Sequence, residues 1–227
     1  MIKEDIQKGM KQGMPIMLGY FPIALTFGVV SQQAGLSLVE LTSMSILVYA
    51  GAAQFMAVNL LMVSAGLLEI TIATFVLNFR HFVMSLSFVH KLEHINVRWK
   101  TALTSLLTDE SFALASMDSK KEKKSHYYYL GLFSVAYLSW IMGSFLGGVM
   151  GDIFPERLSV SLGIALYAMF IALLIPSIQK NRRHGWIALI AMAINYTLSF
   201  YVDSGWSIVL STIFASGIGT MFIRREA

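Results

Sequence analysis

The sequence predicts an all-α, polytopic integral membrane protein. Of its 227 residues, 56% are hydrophobic and 13% are charged, and the mean hydropathy is +0.65. An average soluble domain is about 25% charged. Long apolar runs recur along most of the chain, and lipid offers their backbone groups no hydrogen-bond partner outside the segment. Such runs favour helices, so we expect about 7–8 transmembrane segments.

The apolar runs define the predicted spans in chain order. They cover residues 15–31, 41–63, 70–89, 101–117, 127–150, 159–179, 185–201 and 205–222. We predict one membrane domain over residues 15–222, with a cytosolic lead-in at 1–14 and a cytosolic tail at 223–227. Residues 1–14 are polar, whereas a signal peptide would place an apolar core directly after its basic start.

Lys and Arg residues set the predicted orientation, because cytoplasmic loops carry an excess of them. Most lie in five stretches, at residues 3–11, 91–100, 120–124, 180–183 and 224–225. The second half of the chain obeys this rule if every segment crosses, and both termini are then cytoplasmic. The first half leaves two alternatives open. Either all of its segments cross and residues 90–100 lie outside, or 101–117 and one earlier segment re-enter and residues 90–100 lie inside.

Catalytic and cofactor motifs are absent from the sequence. The chain has no cysteine, which excludes disulfides, thiol catalysis and thiolate metal sites. It has no HExxH motif and no phosphate-binding loop, and Ala215-Ser216-Gly217 lacks the leading glycine of a serine nucleophile motif. We therefore predict no enzyme activity, no cofactor and no metal site. The net charge of +4 lies in short loops and does not indicate a nucleic-acid partner.

Two pairs of segments resemble each other and suggest a four-plus-four duplication. SMSILVYAGAAQF (43–55) resembles SVSLGIALYAMF (159–170), and FVLNFRHFVMSLS (75–87) resembles MAINYTLSFYV (192–202). The repeats would cover residues 15–117 and 127–222. Secondary transporters are often built from such repeats, with broken helices and the substrate near the midplane. Chance similarity between apolar runs is the alternative.

Polar side chains inside apolar segments mark the candidate site, because an ionisable group there costs about 2.5–3.5 kcal/mol on insertion scales. In 50-AGAAQF-55, Gly51 and Ala52 permit a helix break just before Gln54. A broken helix exposes N–H or C=O groups able to bind a substrate's carboxylate or ammonium. The alternative is ordinary helix packing, with Gln54 hydrogen-bonded to a neighbour.

A second group of polar residues lies in 78-NFRH-81. Asn78 and His81 are three residues apart and share a helix face, whereas Arg80 lies about 200° from Asn78. Arg80 is either a fixed counter-charge to Asp109 or Glu110, or a ligand for a carboxylate, whose shape its planar fork matches. His81 is a candidate proton carrier, because histidine titrates near neutral pH. A histidine held by a satisfied partner is the alternative.

The acidic pair Asp109–Glu110 lies in 107-LTDESF-112. Neighbours on a helix are about 100° apart, so at most one of the two is expected to face Arg80. The other needs its own partner, a proton or water, which makes this segment a candidate for proton coupling. A purely structural Arg80–Asp109 pair is the alternative.

Proline and glycine indicate where helices bend or pack closely. Pro22 lies inside the first span and should kink it by removing a backbone hydrogen bond, so Pro22 and Gly28 are candidate hinges. A kink that only shapes the helix is the alternative. Gly143, Gly147 and Gly151 recur at every fourth position and predict a face for close helix packing.

Four ordered motifs resemble the AzlC/YgaZ family, the large subunits of bacterial two-component branched-chain amino acid exporters. They are PIMLGYFPIALTFG, SMSILVYAGAAQF, NFRHFVMSLS and LLTDESFAL. The resemblance implies a secondary exporter of leucine, isoleucine and valine, with methionine as a further candidate, in the bacterial plasma membrane. It also implies a small AzlD-like membrane partner of about four spans. Without an ATP site, the proton gradient is the simplest energy source. A passive amino acid channel or uniporter and a non-transporting assembly subunit are the alternatives.

The resemblance and the residue chemistry together assign candidate roles. The substrate-binding candidates are Tyr20, Gly51, Ala52, Gln54, Asn78 and Arg80. The proton-coupling candidates are His81, Asp109 and Glu110, and the hinge candidates are Pro22 and Gly28. Some members of the family carry Asp where this chain has Asn78, so the resemblance does not support a proton role at that position.

Overall fold

The computed structural model describes residues 2–92, 95–117, 124–151, 171, 174–175, 177–179 and 181–223. These residues are largely helical and include no strand, which confirms the all-α class. The helices are α1 (Ile2–Gln33), α2 (Leu38–Leu47), α3 (Gly51–Met62), α4 (Leu67–Val89), α5 (Val97–Ser105), α6 (Asp109–Met117), α7 (His126–Met150), α8 (Arg182–Leu198) and α9 (Ser204–Ile223), with a 3₁₀ turn at His90–Leu92. Among them, α1, α4 with this turn, and α7 are long and apolar enough to cross a membrane. The predicted segment 159–179 lies largely outside the described residues.

The chain divides into two compact units. The first comprises Met1–Gln54 and Asn78–Ser159, and the second comprises Phe55–Leu77 and Val160–Ala227. These ranges differ from the predicted repeats, and the segment 159–170 that the duplication compares lies outside the described residues. The duplication therefore stays a prediction.

In the first unit, α1 and α7 run parallel and pack backbone to backbone. A Cβ built on Gly9 of α1 would overlap the carbonyl of Tyr128 at the start of α7, and one built on Gly28 would overlap the carbonyl of Ser144 near its end. Gly147 meets the α1 backbone at Leu25 in the same way. Only glycine allows this approach, so the prediction of a close-packing glycine face on α7 is confirmed.

The C-terminal half of α4 runs opposite to α7. Arg80 lies beside Asp109 of α6, whereas Phe88 packs its ring against Tyr129 and Phe133 at the beginning of α7, with ring centroids 5.2 and 5.6 Å away. The C-terminus of α4 therefore lies beside the N-termini of α1 and α7. We call this side of the unit the basal end. The opposite end of the unit, where α1 and α7 finish, is called the distal end.

The predicted segment 41–63 is broken into α2 and α3, and α2 with the first turn of α3, up to Gln54, belongs to the first unit, where the two form the tip of a hairpin. A Cβ on Gly148, near the distal end of α7, would lie 2.9 Å from Leu38 and Leu41 at the beginning of α2. Ser45, one turn before the break, accepts a hydrogen bond at 3.1 Å from Gln54, about one turn after it. An unbroken helix would separate these residues by about 13 Å along its axis. The chain therefore enters from the distal end and reverses at residues 48–50.

The predicted segment 101–117 is likewise broken, into α5 and α6, which form a second hairpin. Trp99 at the beginning of α5 packs on His126 at the basal end of α7, with ring centroids 4.8 Å apart. The ammonium of Lys91 donates at 2.8 Å to the carbonyl of Ala115 near the end of α6. Leu103 and Ala115 share one buried core although they lie on either side of the break. This hairpin therefore opens toward the basal end.

In the second unit, a carboxylate from α4 caps α9. Glu69 is 7% exposed and accepts hydrogen bonds from the backbone N–H groups of Gly205 at 2.6 Å and Trp206 at 3.3 Å. Negative charge at a helix N-terminus is favourable, because the macrodipole is positive there. The small buried core of this unit contains Leu60, Ala73 and Val209.

Candidate functional site

Tyr20 of α1 connects to the tip of the second hairpin. Its side chain is 7% exposed, and its hydroxyl oxygen lies 2.8 Å from the hydroxyl of Thr108. The same hydroxyl donates a short hydrogen bond to the carboxylate of Glu110. A substrate-binding candidate and a proton-coupling candidate, 90 residues apart in the sequence, therefore meet at one place.

The tip of the second hairpin is made by a local cap that the sequence itself encodes. The Ser111 N–H donates to the Thr108 hydroxyl at 3.3 Å, and the Thr108 N–H donates to the Ser111 hydroxyl at 2.8 Å. This exchange resembles a capping box, with serine in place of the usual acidic residue. It begins α6 at Asp109 and places Asp109 and Glu110 in the first helical turn, where negative charge is favoured.

The two neighbouring carboxylates have different partners. Arg80 Nη1 lies 2.7 Å from Asp109 Oδ2, and the two side chains are 32% and 25% exposed. Glu110 instead accepts from Tyr20. The helical spacing predicts that only one of the two acids faces Arg80, and Asp109 is that residue.

Three buried polar atoms near this ion pair lack a hydrogen-bond partner among the described residues. They are Asn78 Oδ1, Arg80 Nε and His81 Nδ1. His81 lies close enough to Arg80 and Asp109 to interact electrostatically with both. Buried polar atoms in proteins are nearly always hydrogen-bonded, so an exception calls for an explanation such as a bound ligand or water.

Gln54 is fully buried and holds the first hairpin to α7. Trp140 Nε1 donates to its side-chain oxygen at 2.9 Å, and its amide nitrogen donates to Ser45 at 3.1 Å. Ser45 donates to Ser144 at 2.7 Å, and Ser144 donates to the Trp140 carbonyl at 2.7 Å. Each hydroxyl in this network both donates and accepts. The arrangement matches the packing alternative for Gln54, in which the side chain is held by its neighbours.

Gly51 and Ala52 begin α3 directly after the break. A Cβ on Gly51 would lie 2.5 Å from Cη2 of Trp140, so the indole ring occupies the space of any side chain there. Ala52 is 3% exposed. The first N–H groups of a helix have no intrahelical acceptor and favour an anion. The beginning of α3 is thus chemically suited to a carboxylate, as the sequence predicts.

Tyr49 is a candidate that sequence reasoning did not place in the site. It lies at the tip of the first hairpin with φ of 42°, an unusual conformation for a bulky side chain. Its ring packs edge-on against Tyr137 with centroids 4.8 Å apart, and the residue is 5% exposed. Its hydroxyl has no hydrogen-bond partner among the described residues and interacts electrostatically with Glu110. The available signal was its position immediately before the small residues that permit the break.

The hinge candidates lie on a continuous helix. α1 passes through Pro22 without ending, and the Pro22 carbonyl accepts a hydrogen bond from the Thr26 hydroxyl at 2.9 Å. Gly28 packs against the backbone of α7 at Ser144 and Gly148. Gly28 is therefore a close-contact position in this structure, and its role as a hinge stays a prediction, as does that of Pro22.

The comparison with known families agrees with this arrangement of motifs. A family model described as AzlC protein matches residues 15–154. The chain belongs to the AzlC family. This match includes α1 from Pro15 onward, both hairpins and α7, and therefore every residue of the candidate site.

Relatives of the chain are membrane proteins from several bacteria. It is 30% identical to an uncharacterized membrane protein of Helicobacter pylori (strain ATCC 700392 / 26695), over 82% of this chain and 84% of that protein. It is 28% identical to the inner membrane protein YgaZ of Escherichia coli, over 77% of this chain and 74% of that protein. It is 24% identical to the branched-chain amino acid transport protein AzlC of Bacillus subtilis, over 75% and 67% respectively. No solved structure matches the chain.

Proposed function

We propose that this chain is the large subunit of a secondary-active exporter of branched-chain amino acids: leucine, isoleucine and valine, with methionine as a further candidate. The observation that carries the proposal is that two helix breaks lie close together. Glu110 at the second break accepts a hydrogen bond from Tyr20 and interacts electrostatically with Tyr49 at the first break. Secondary transporters bind substrates at such breaks, because freed backbone groups and buried side chains can replace the water around a polar ligand. The name of the Bacillus subtilis relative supports the substrate class.

An amino acid zwitterion fits the chemistry of this region. Its carboxylate would accept hydrogen bonds from the first N–H groups of α3 at Gly51 and Ala52, with Arg80 Nε as a further donor. Its ammonium would pair with the carboxylate of Glu110. These assignments rest on the helix break before Gly51, on the unpartnered Nε of Arg80 and on the contact between Glu110 and Tyr20. Asn78 lies on the opposite face of α4 from Arg80, so its role in substrate binding stays a separate prediction.

The proposed orientation places the basal end of the first unit in the cytoplasm. Lys91 lies at this end, Lys100 belongs to the beginning of α5, and Lys124 directly precedes α7. The N-terminal lysines lie on the first turns of α1, at the same end. Under the positive-inside rule, residues 90–100 and the N-terminus are then cytoplasmic. The first hairpin would re-enter from outside and the second from inside, which is the re-entrant alternative of the sequence.

The absence of cysteine makes this orientation directly testable. Single cysteines placed at Asn96, in the basal loop, and at the exposed Val39, in the first turn of α2 at the distal end, would be probed with a membrane-impermeant maleimide. We expect labelling of Val39→Cys in intact cells and of Asn96→Cys only after permeabilisation. The reverse pattern would overturn the proposed orientation.

We further propose that export is coupled to the proton gradient and needs a small AzlD-like membrane partner in the bacterial plasma membrane. Coupling has three candidate groups, His81, Asp109 and Glu110. The sequence offers no ATP-binding motif, so an ion gradient is the simplest driving force.

Transport by the purified complex tests the function. The chain and its partner would be reconstituted in liposomes loaded with radiolabelled leucine, with and without a pH gradient. Accumulation of leucine driven by the gradient is expected, and passive equilibration alone would instead indicate a channel or uniporter. No leucine movement in folded, correctly inserted protein would favour an assembly subunit. Glu40→Gln is a suitable control variant, because Glu40 is exposed and a glutamine preserves its capping contact with Ser37.

A further inference from the structure

The two adjacent carboxylates at the second hairpin tip differ in how their charge is balanced. Asp109 has the Arg80 guanidinium at 2.7 Å. For Glu110, the described part of the chain offers no Lys, Arg or His within ion-pair distance, and its carboxylate is contacted by the Tyr20 hydroxyl. With no fixed cation beside it, this carboxylate can be neutralised by a group that is able to leave, either a proton or a bound cation.

The surroundings of Glu110 are suited to a small cation. Tyr20 approaches it from α1, and Tyr49 from the tip of the first hairpin interacts with it electrostatically. The Tyr49 hydroxyl is buried and has no hydrogen-bond partner among the described residues, so its oxygen can accept from an ammonium. Tyr137 of α7 packs edge-on against Tyr49, and aromatic rings attract cations through their faces.

The other charged groups near Glu110 compensate each other. Asp109 precedes it on α6 and is neutralised by Arg80 of α4. His81, also on α4, lies within electrostatic range of that pair. Glu110 is therefore the carboxylate without a permanent counter-charge where the two hairpin tips meet, among the residues that the structure describes.

We propose that Glu110 is an exchange site, which binds either a proton or the primary ammonium of the substrate but not both. The inference deepens the proposed export function and rests on it. When a substrate arrives, Glu110 gives up its proton and pairs with the ammonium; when the substrate leaves, the carboxylate takes a proton from the other side. The proton and the ammonium each neutralise the carboxylate, so the site is close to neutral in both states. This exclusion couples one proton to each substrate without a further group.

Proton release on substrate binding tests this assignment directly. Leucine would be added to the detergent-solubilised complex in weakly buffered solution containing a pH-sensitive dye, at several values between about pH 5 and 8. We expect the wild-type complex to release up to one proton per bound leucine over part of this range. Glu110→Gln should release none and should bind leucine at least about tenfold more weakly, because a hydrogen bond to a charged group is lost.

A carboxylate outside the candidate site and a substrate analogue give matched controls. Glu40→Gln should still release protons on binding leucine. 2-Hydroxyisocaproate, which lacks the ammonium, should release none from the wild-type complex. Undiminished release by Glu110→Gln, or release triggered by the hydroxy acid, would overturn the inference.

Two further outcomes separate the inference from the function on which it depends. If Glu110→Gln does not fold, Glu110→Asp retains a carboxylate and should retain proton release; a folded Glu110→Asp that binds leucine without releasing protons would contradict the proposal. If the wild-type complex neither binds nor transports leucine, the proposed function fails and the exchange site fails with it. A third outcome would overturn the exchange site alone. In it, the wild type transports leucine, and transport by Glu110→Gln is still coupled to protons.

Discussion

The tips of the two hairpins both lie in the first unit and interact there, but they are built in different ways. The tip of the first, at Tyr49, is fixed by neutral contacts, namely the Gln54–Trp140 network and the Gly51–Trp140 approach. The tip of the second carries two carboxylates in the first turn of α6. The first tip therefore contributes a fixed backbone conformation with free N–H groups, and the second contributes carboxylates whose charge can be neutralised.

The cause of each break differs as well. The second tip is encoded locally, by the reciprocal Thr108–Ser111 cap. The first tip depends on long-range packing, since Trp140 belongs to α7 and Tyr49 has a positive φ that its own sequence does not favour. Changes to the contacts that pack the first tip on Trp140 should consequently act mainly on stability, and changes at the second tip should act on stability and transport together.

The largest effect is expected where the first tip meets Trp140. In Gly51→Leu the new side chain would occupy the space of an indole ring that is itself held by Gln54. Overpacking costs typically about 1–3 kcal/mol, and a neighbour that cannot move adds to it. We expect loss of most folded protein, measured by size-exclusion chromatography and thermal melting in detergent. Gly66→Leu is the control, since nothing lies within 4 Å of its Cβ position. Equal losses in both variants would contradict a specific role of Trp140.

The next effect is expected at the ion pair of the second tip. Removing one partner of a fully buried pair costs about 3–5 kcal/mol. Because Arg80 and Asp109 are 32% and 25% exposed, we expect about 2 kcal/mol for Arg80→Gln or Asp109→Asn. The double variant should be more stable than the sum of the two losses predicts, as a double-mutant cycle of melting measurements would reveal. Leucine transport per folded molecule should fall in both single variants; unchanged transport in both would show that the substrate site lies elsewhere.

A smaller effect is expected from Gln54→Leu. This variant tests most clearly whether the first tip has only a structural role. It leaves the Trp140 N–H without a buried acceptor, which costs about 1–3 kcal/mol, whereas the Ser45 hydroxyl keeps its hydrogen bond to Ser144. If Gln54 only holds the hairpin to α7, the KM for leucine should stay nearly constant in the folded fraction. A KM raised by about tenfold would instead place the amide on the substrate, at the strength of a hydrogen bond to a charged group. Asn59→Leu, on an exposed position of α3, controls for the change of an amide to a leucine.

Helical geometry alone predicts much of the second tip. The spacing of Asp109 and Glu110 indicates that only one can face Arg80, and the structure has Asp109 there. The TxxS pattern at 108–111 also contains the signal for the break, although the sequence analysis did not use it. Local patterns are sufficient here because the cap and the first turn involve residues only three positions apart.

The first tip could be predicted only in part. Small residues at 50–53 allow a break, but they do not say that the chain reverses there. The reversal depends on contacts between residues far apart in sequence, such as Gln54 with Trp140 and Ser45 with Ser144. A single sequence carries no signal for such pairs. For the same reason, the sequence left open whether segments 41–63 and 101–117 re-enter.

The smallest effect is expected from Tyr49→Phe, and it bears on whether the two tips share one ligand. The Tyr49 hydroxyl has no partner among the described residues, so its removal should leave the melting temperature unchanged or slightly higher. If this hydroxyl accepts from the substrate's ammonium beside Glu110, the KM for leucine should rise about two- to tenfold, the range for one neutral hydrogen bond. Tyr137→Phe is the matched control, because its hydroxyl donates to the Ile46 carbonyl at 2.8 Å and its loss should lower stability without changing KM. A Tyr49→Phe protein that melts earlier but transports with an unchanged KM would assign the hydroxyl a structural role, and the ammonium would then be held by the second tip alone.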